Sequence, residues 1–334
     1  MRYIVVGPGA VGGTVGGRLH QAGHEVVLVA RGRHLAALRA GGLVLCDPVG
    51  LHRLPVPVAA APGEVDWRAD DVVLLATKSQ DTAAAVRAVA AARGPGGPVV
   101  CLQNGVANER TCARAGPDVY GACVMVPAEH VDPGVVVAFG SPRTGIIDVG
   151  RYPAGTDAVA EAVCGDLDGA GFSSRPEPAV MAWKHHKLVR NLGNVLEAAR
   201  GGDQGEPVRR LYAAARAEAV ACFAAVGLPC VDDAAVVARR GRLVAAAPVA
   251  GHPRGGGSTW QSLARGTRAV ETDYLNGEIV RLGLRCGVPT PVNAFLVRLG
   301  RQLAGERRAP GTMTAAELGA EAGQDAAVVA ALSP

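Results

Sequence analysis

The sequence predicts an α/β architecture: a sheet-and-helix domain over residues 1–177, followed by an all-helical C-terminal domain over residues 178–334. Three observations predict it. The apolar, β-branched run Tyr3-Ile4-Val5-Val6 leads directly into the glycine turn GPGAVG. Short apolar runs of the same kind recur at 25–29, 72–76 and 99–102, as strands buried on both faces do. Beyond Pro178 these runs give way to long stretches with helical periodicity.

Residues 3–6 form the first strand. Gly7, Gly9 and Gly12 follow at GxGxxG spacing, residues 14–21 suit a helix, Gly23 stops it, and residues 25–29 are the second strand. Strand, glycine turn, helix and strand in one short unit is the context that makes this spacing a Rossmann-type dinucleotide fingerprint. Gly7 permits the tight turn, Gly9 lets the backbone approach a pyrophosphate, and Gly12 lets the helix lie close to the strand. The turn residues Gly7, Pro8, Gly9, Ala10, Val11 and Gly12 are therefore the cofactor-binding candidates, with the helix N-terminus offering N–H groups to the anion. An acidic residue closing the second strand would bind the ribose 2′-hydroxyl of NAD. This chain has Ala30-Arg31-Gly32-Arg33 there. Arg31, with Arg33 beside it, suits a 2′-phosphate, so NADPH/NADP+ is the expected cofactor. The plainer reading of Arg31 is a surface arginine opening the next helix.

Residues 43–61 alternate loosely and carry prolines, as peripheral strands do. The strand at 72–76 ends in Thr77-Lys78-Ser79-Gln80, and that at 99–102 ends in Gln103-Asn104-Gly105. Ligands bind beyond the carboxyl ends of strands in a doubly wound sheet, so Lys78 and Asn104 are site candidates. Against this stand an exposed loop lysine and a tight Asn-Gly turn. The pieces at 135–138 and 144–147, with a helix over 157–167, are expected to complete the sheet. Arg175-Pro176-Glu177-Pro178 reads as a linker.

The C-terminal half reads as helices over 181–200, 208–226 and 232–247, a flexible GHPRGGG break at 251–257, a helical region over 258–286, and a last helix to about 304. An Ala-rich tail follows as a peripheral helix. Within the first helix, WKHHKLVRNLGNVLE carries Lys187, Asn191 and Asn194 at i, i+4 and i+7, on one side of a continuous helix. A cation and two amides aimed together suit a small oxygen-rich substrate. Such a basic run is otherwise a solvated face.

Composition narrows the function classes. A net charge of +4, without a long basic stripe, argues against a nucleic-acid partner. The eight cysteines show no CxxC and no metal spacing, so a metal site is not expected and the thiols are read as reduced and mostly buried. No stretch reaches the length of a membrane span, and the glycine-broken N-terminus makes a poor signal peptide. A cytoplasmic protein without a membrane partner is expected, and assembly as a homodimer stays open.

Several separated segments, GPGAVG at 7–12, TKSQ at 77–80, QNG at 103–105, KLVRN at 187–191, STWQSLARGTRAVETDYLNG at 258–277 and GVPTPVN at 287–293, together resemble the ketopantoate reductase (2-dehydropantoate 2-reductase) family of the 6-phosphogluconate dehydrogenase-like superfamily. The resemblance implies NADPH-dependent reduction of a small 2-oxo acid, with ketopantoate as substrate. It puts the catalytic lysine on Lys187, its partner acid on Glu271, and the asparagine near the nicotinamide on Asn104. Substrate ligands fall on Asn191, Asn194 and Ser258, with Thr259 as the neighbour of the last. Lys184, His185, His186 and Arg190 are left to the helix surface or interdomain contacts. The chain departs from the family in having Asn194 at Lys+7 rather than Lys+8, Val195 where a proline often follows, and Ser262 in place of an aspartate. Alternatives are a relative that reduces another 2-oxo acid or ketone in secondary metabolism, a reductive aminase, or a regulator that binds NADPH and turns nothing over.

Overall fold

A computed structural model describes residues 1–202 and 205–332. In chain order its first elements are β1 (Arg2–Val6), α1 (Ala10–Gln21), β2 (Glu25–Val29), α2 (Gly32–Gly41), β3 (Leu43–Cys46), β4 (Leu51–Leu54), β5 (Val58–Ala59), β6 (Asp71–Leu75), α3 (Thr82–Arg93), β7 (Pro98–Cys101) and α4 (Ala107–Ala113). They continue with β8 (Asp118–Met125), β9 (Ala128–Glu129), β10 (Val135–Ala138), β11 (Gly140–Pro142), β12 (Ile146–Arg151), α5 (Ala158–Gly169), α6 (Val180–Asn191), α7 (Asn194–Arg200) and α8 (Glu206–Val226). The last are α9 (Asp233–Arg240), β13 (Val244–Ala246), α10 (Ser258–Ala264), α11 (Asn276–Cys286), α12 (Pro291–Gly305), α13 (Ala315–Gly323) and α14 (Ala326–Leu332).

The first half is built on a sheet of order β12-β8-β7-β6-β1-β2-β5, parallel throughout except for β12, which runs antiparallel to β8. β1 is central: Ile4 pairs with Val27 of β2 on one side and Val73 of β6 on the other. Burial on both faces explains why its sequence is a continuous apolar run rather than an alternating one. Strand order reverses at β1, the switch point where doubly wound sheets bind ligands.

A second sheet, β4-β3-β10-β9, covers the other side of α1. This accounts for the glycines in the helix AVGGTVGGRLHQ. A side chain at Gly16 would meet Leu28 Cδ2 of the main sheet at 2.9 Å, and one at Gly13 would meet Val136 Cγ1 of the second sheet at 2.7 Å. Close packing on both sides offsets a propensity cost of about 1 kcal/mol per interior glycine. The pieces expected to complete the main sheet divide between the two sheets. The stretch 144–147 leads into β12 on the main sheet, whereas β10 pairs in parallel with β3 in the second.

Packing divides the chain into Met1–Lys184 with Val231–Arg254, and His185–Cys230 with Gly255–Pro334. The sequence put the boundary after residue 177 and assigned everything beyond it to one domain. The first unit instead runs on into α6 and takes back the segment 231–254. That segment is not the continuous helix expected over 232–247. Gly241 ends α9 with φ +44°, and β13 pairs antiparallel with β11. Arg239 anchors it, with Nη2 and Nε donating to the buried Asp148 carboxylate at 2.6 and 2.8 Å.

The second unit is helical. α8 buries Val208, Leu211, Ala215, Ala219 and Cys222, the three- and four-residue spacing of an amphipathic helix, and Gly227 ends it in the left-handed conformation at φ +64°. The expected region over 258–286 consists of α10, a 3₁₀ turn at Glu271–Tyr274, and α11. The tail forms two helices, and Gly311 and Met313 before them donate backbone hydrogen bonds to Ala198 and Ala199 of α7. Six of the eight cysteines are buried, in line with the expectation that most would be. Among the described residues, no helix is long and apolar enough to cross a membrane.

Candidate active site

In the first unit the glycine turn leaves β1 at Gly7, which has φ +90°; a side chain there would meet the Thr77 backbone nitrogen at 2.8 Å. The turn is thus pressed against the chain leaving β6, and only glycine fits. A side chain at Gly12 would meet the Gly7 carbonyl at 2.5 Å and Ala76 Cβ at 2.8 Å, so α1 lies hard against the strand ends. In front of Gly9 the nearest atom to such a side chain is His130 Cδ2 at 3.8 Å. That open face is the approach a pyrophosphate needs. α1 has no side-chain cap and no acid in its first turn, so its end stays electropositive. The turn fits a dinucleotide on these grounds.

Arg31 is the residue before α2, its side chain 76% exposed and its Nη2 3.5 Å from Asp81. No carboxylate closes β2, where Ala30 and Arg31 stand. His34, one turn into α2, ties this helix to the glycine turn. Its Nδ1 accepts from the Gly134 N–H (2.9 Å), which leaves Nε2–H to donate to the Pro8 carbonyl (2.8 Å). Burial pushes the His34 imidazole below its ordinary value, which suits the neutral ring these two bonds require.

Lys78 and Asn104 lie in the loops that leave β6 and β7, and a buried polar network locks these loops together. Gln103 Nε2 donates to Thr82 Oγ1 (2.8 Å), Thr82 Oγ1 donates to Asn108 Oδ1 (2.8 Å), and Asn108 Nδ2 donates to the Asn104 carbonyl (2.9 Å). Gly105 at φ +78° completes the turn, as the tight-turn reading of Asn104-Gly105 expects. Lys184 fastens the same loop. Its Nζ donates to the carbonyls of Gln103 (2.8 Å) and Ala122 (3.1 Å) and lies 2.7 Å from Glu109 Oε1, with side-chain exposures of 3% and 0%. The helix-surface reading of Lys184 is corrected, because a lysine with three acceptors around its ammonium is buried; its contacts reach residues before 177, and packing counts Lys184 with them in the first unit. His185 is buried too and donates from Nδ1 to the Pro229 carbonyl (2.7 Å).

In the second unit Lys187 and Asn191 lie one turn apart on α6, with Asn191 its last residue. Asn194 is not on the same helix. α6 stops, residues 192–193 turn, and Asn194 opens α7. The i+7 alignment expected of a continuous helix is therefore replaced by a kink. Gly193 sits in it because a side chain there would press on the Tyr212 ring at 3.0 Å. The Leu192 carbonyl in the kink accepts from Asn276 Nδ2 (3.1 Å). Ser258 opens α10 but does not cap it; Gly257 is the N-cap, and its N–H donates to Glu197 of α7 at 3.1 Å. Glu271 is buried and begins the 3₁₀ turn ahead of α11. Arg265 senses its charge, which partly offsets the downward push of burial on the guanidinium. Glu197 thus links the start of α10 to α7, and Asn276 links the start of α11 to the α6–α7 kink. Sequence reasoning missed both residues, along with Thr82, Asn108 and Glu109, because each acts on backbone or side chains far away in the chain.

Comparison with known proteins adds to this geometry. Residues 3–153 match the family model described as ketopantoate reductase PanE/ApbA, and residues 179–304 match that of its C-terminal part. The chain belongs to the ketopantoate reductase family. The 2-dehydropantoate 2-reductase of Halobacterium salinarum is 32% identical over 320 residues, covering 90% of this chain and 99% of that one. That of Archaeoglobus fulgidus is 30% identical over 306 residues, covering 90% and 97%. A PanE/ApbA family ketopantoate reductase from Ralstonia eutropha JMP134 superposes with TM-score 0.76 at 31% identity, covering 92% of this chain and 100% of that one. A D-mandelate dehydrogenase solved with NADH and anilino(oxo)acetate shares the fold, with TM-score 0.78 at 23% identity. This ketopantoate reductase family member is an oxidoreductase acting on the CH–OH group, and its fold is the α/β plus helical arrangement its sequence predicts.

Proposed function

We propose that the chain reduces 2-dehydropantoate to pantoate with NADPH. The observation that carries this reading is the uncapped glycine turn after β1, open at Gly9, in a chain that also carries Lys187 and Asn191 one turn apart on α6 and matches a relative of that name over 99% of its length. Gly7, Pro8, Gly9, Ala10, Val11, Gly12, Arg31, Lys78 and Asn104 would hold NADPH, which would supply the hydride for the ketone carbon. As that C–H bond forms, the C=O π pair moves to oxygen and an alkoxide develops. Lys187 stabilises it and gives it the proton, leaving an alcohol and a neutral amine. A free lysine, with pKa about 10.4, releases its proton slowly at neutral pH. Burial favours the neutral amine, whereas a neighbouring carboxylate favours the ammonium, so Glu271 acts mainly to orient Lys187. Asn191, Asn194 and Ser258 hydrogen-bond the substrate carboxylate and hydroxyl.

A second reading, reduction of a different 2-oxo acid, is favoured by one observation: Asn194 lies beyond the kink, on α7. Both readings are tested by following NADPH absorbance across a panel of 2-oxo acids that includes 2-dehydropantoate. The proposal expects the highest kcat/KM with 2-dehydropantoate. Preference for another acid selects the second reading, and no turnover with tight NADPH binding selects a non-catalytic binder. Lys187→Ala is expected to lose roughly 10²–10⁴-fold in kcat with NADPH affinity unchanged; near-normal turnover sinks the assignment of the proton donor.

A further inference from the structure

We propose that Asn276 is a positioning residue that sets the direction of Asn194 relative to Asn191. This rests on the reading of those two asparagines as substrate ligands. A continuous helix would fix their relative direction by its own geometry. Here the hydrogen-bond ladder is interrupted between them: Leu192 N bonds back three residues to the Val189 carbonyl at 3.4 Å, and the next ladder starts with Glu197 N on the Gly193 carbonyl at 3.0 Å. A carbonyl at such an interruption needs a donor from elsewhere, and the choice of donor decides how the two helices are angled. Leu192 obtains that donor from Asn276 Nδ2 at 3.1 Å.

Asn276 can act as a brace because it is itself held. It is completely buried at the start of α11, two residues beyond the turn that Glu271 opens. Its amide nitrogen also donates to Asn293 Oδ1 at 3.0 Å. Asn293 Nδ2 donates in turn to the Ala215 carbonyl (3.0 Å) and the Glu218 carboxylate (2.7 Å). Glu218 further accepts from the backbone N–H groups of Val292 and Asn293 at 2.8 and 3.0 Å. The kink is thereby tied through α11 and α12 to α8. The arrangement also accommodates the one-residue offset of Asn194, since its direction depends on the braced turn rather than on the spacing of a single helix.

The test compares Asn276→Ala and Asn276→Asp, which keeps the side chain's size but gives up its amide hydrogens, with Glu218→Gln as control. Glu218 does not touch the kink, and its amide variant keeps an oxygen that accepts from Asn293, whose Nδ2 also keeps the Ala215 carbonyl, so Asn276 stays held and the variant reports loss of stability alone. KM for the 2-oxo acid is expected to rise roughly tenfold in the Asn276 variants, with NADPH affinity unchanged and kcat falling less than kcat/KM. Amide hydrogen exchange over 189–197 is expected to quicken in the same variants. Glu218→Gln is expected to lower the thermal midpoint and leave both readouts unchanged. An unchanged KM in the Asn276 variants, or an equal rise in Glu218→Gln, overturns the proposal. If the wild type reduces no 2-oxo acid, the functional reading fails on its own. Exchange over 189–197 then decides the brace: faster only in the Asn276 variants supports it, and unchanged rates overturn it.

Discussion

Arg31 and His34 stand three residues apart and answer different questions about the cofactor. Arg31 is an exposed guanidinium near Asp81, with no carboxylate at the end of β2 to receive a ribose 2′-hydroxyl. Arg31→Ala is expected to weaken NADPH roughly ten- to hundredfold, the worth of a charge-assisted hydrogen bond, and to leave NADH nearly unchanged. Titrating both nucleotides by fluorescence checks it, and an unaltered preference refutes the 2′-phosphate role. His34 accepts from the Gly134 N–H only as a neutral ring, because protonation at Nδ1 removes that acceptor. Its folded pKa lies below the ordinary 6.5 because of burial. Between that lowered value and 6.5 the unfolded chain binds the proton and the folded chain does not, so stability rises with pH across this window and is lost on acidification. Thermal midpoints measured from about pH 7.5 down to about pH 5.5 should fall less steeply in His34→Gln than in the wild type.

At the scale of elements, the informative features are strand-end loops and helix breaks rather than the elements themselves. The loops after β6 and β7 carry Lys78 and Asn104, and the Gln103–Thr82–Asn108 chain with the Lys184–Glu109 pair holds them. Lys184→Met leaves the Glu109 carboxylate buried without its cation and is expected to destabilise by about 3–5 kcal/mol. Adding Glu109→Leu removes the stranded charge and should recover most of that in urea unfolding. A double variant no more stable than Lys184→Met would show that the carbonyl bonds, not the ion pair, carry the stabilisation. The basic run WKHHK looked like a solvated face because its residue types are those of one. The polar partners that make Lys184 an interior residue lie 62 and 81 positions away.

At the scale of the whole chain, packing does not follow chain order. The segment 231–254 interrupts the helical unit and belongs with the sheets, through the pairing of β13 with β11 and through Arg239 on Asp148. Asp148 is 1% exposed and in Arg239→Ala retains the more distant Arg175 guanidinium (3.8 Å) and the Arg175 N–H (3.2 Å), so losing its close cation is expected to cost about 1.5–3 kcal/mol, borne where the segment docks. Limited proteolysis is expected to cut faster within 231–257 in that variant than in the wild type, while fragments from the β1 region appear no sooner. Equal cutting rates would mean that the strand pairing alone retains the segment.

The sequence by itself determined whatever is encoded locally. The buried strands were legible as apolar runs, the glycine turn as a fingerprint in its strand–helix context, and Lys187 with Asn191 as neighbours one turn apart. Periodicity and turn chemistry act over a few residues, so one chain suffices to read them. Only the tertiary structure decided the kink that separates Asn191 from Asn194, the strand at Val244–Ala246, and the buried placement of Lys184. Each depends on a partner brought close by folding: Asn276 for Leu192 across 84 positions, β11 for β13, and Glu109 with two carbonyls for Lys184. A helix continues or breaks, and a lysine lies inside or out, according to which donor or acceptor the fold delivers to it.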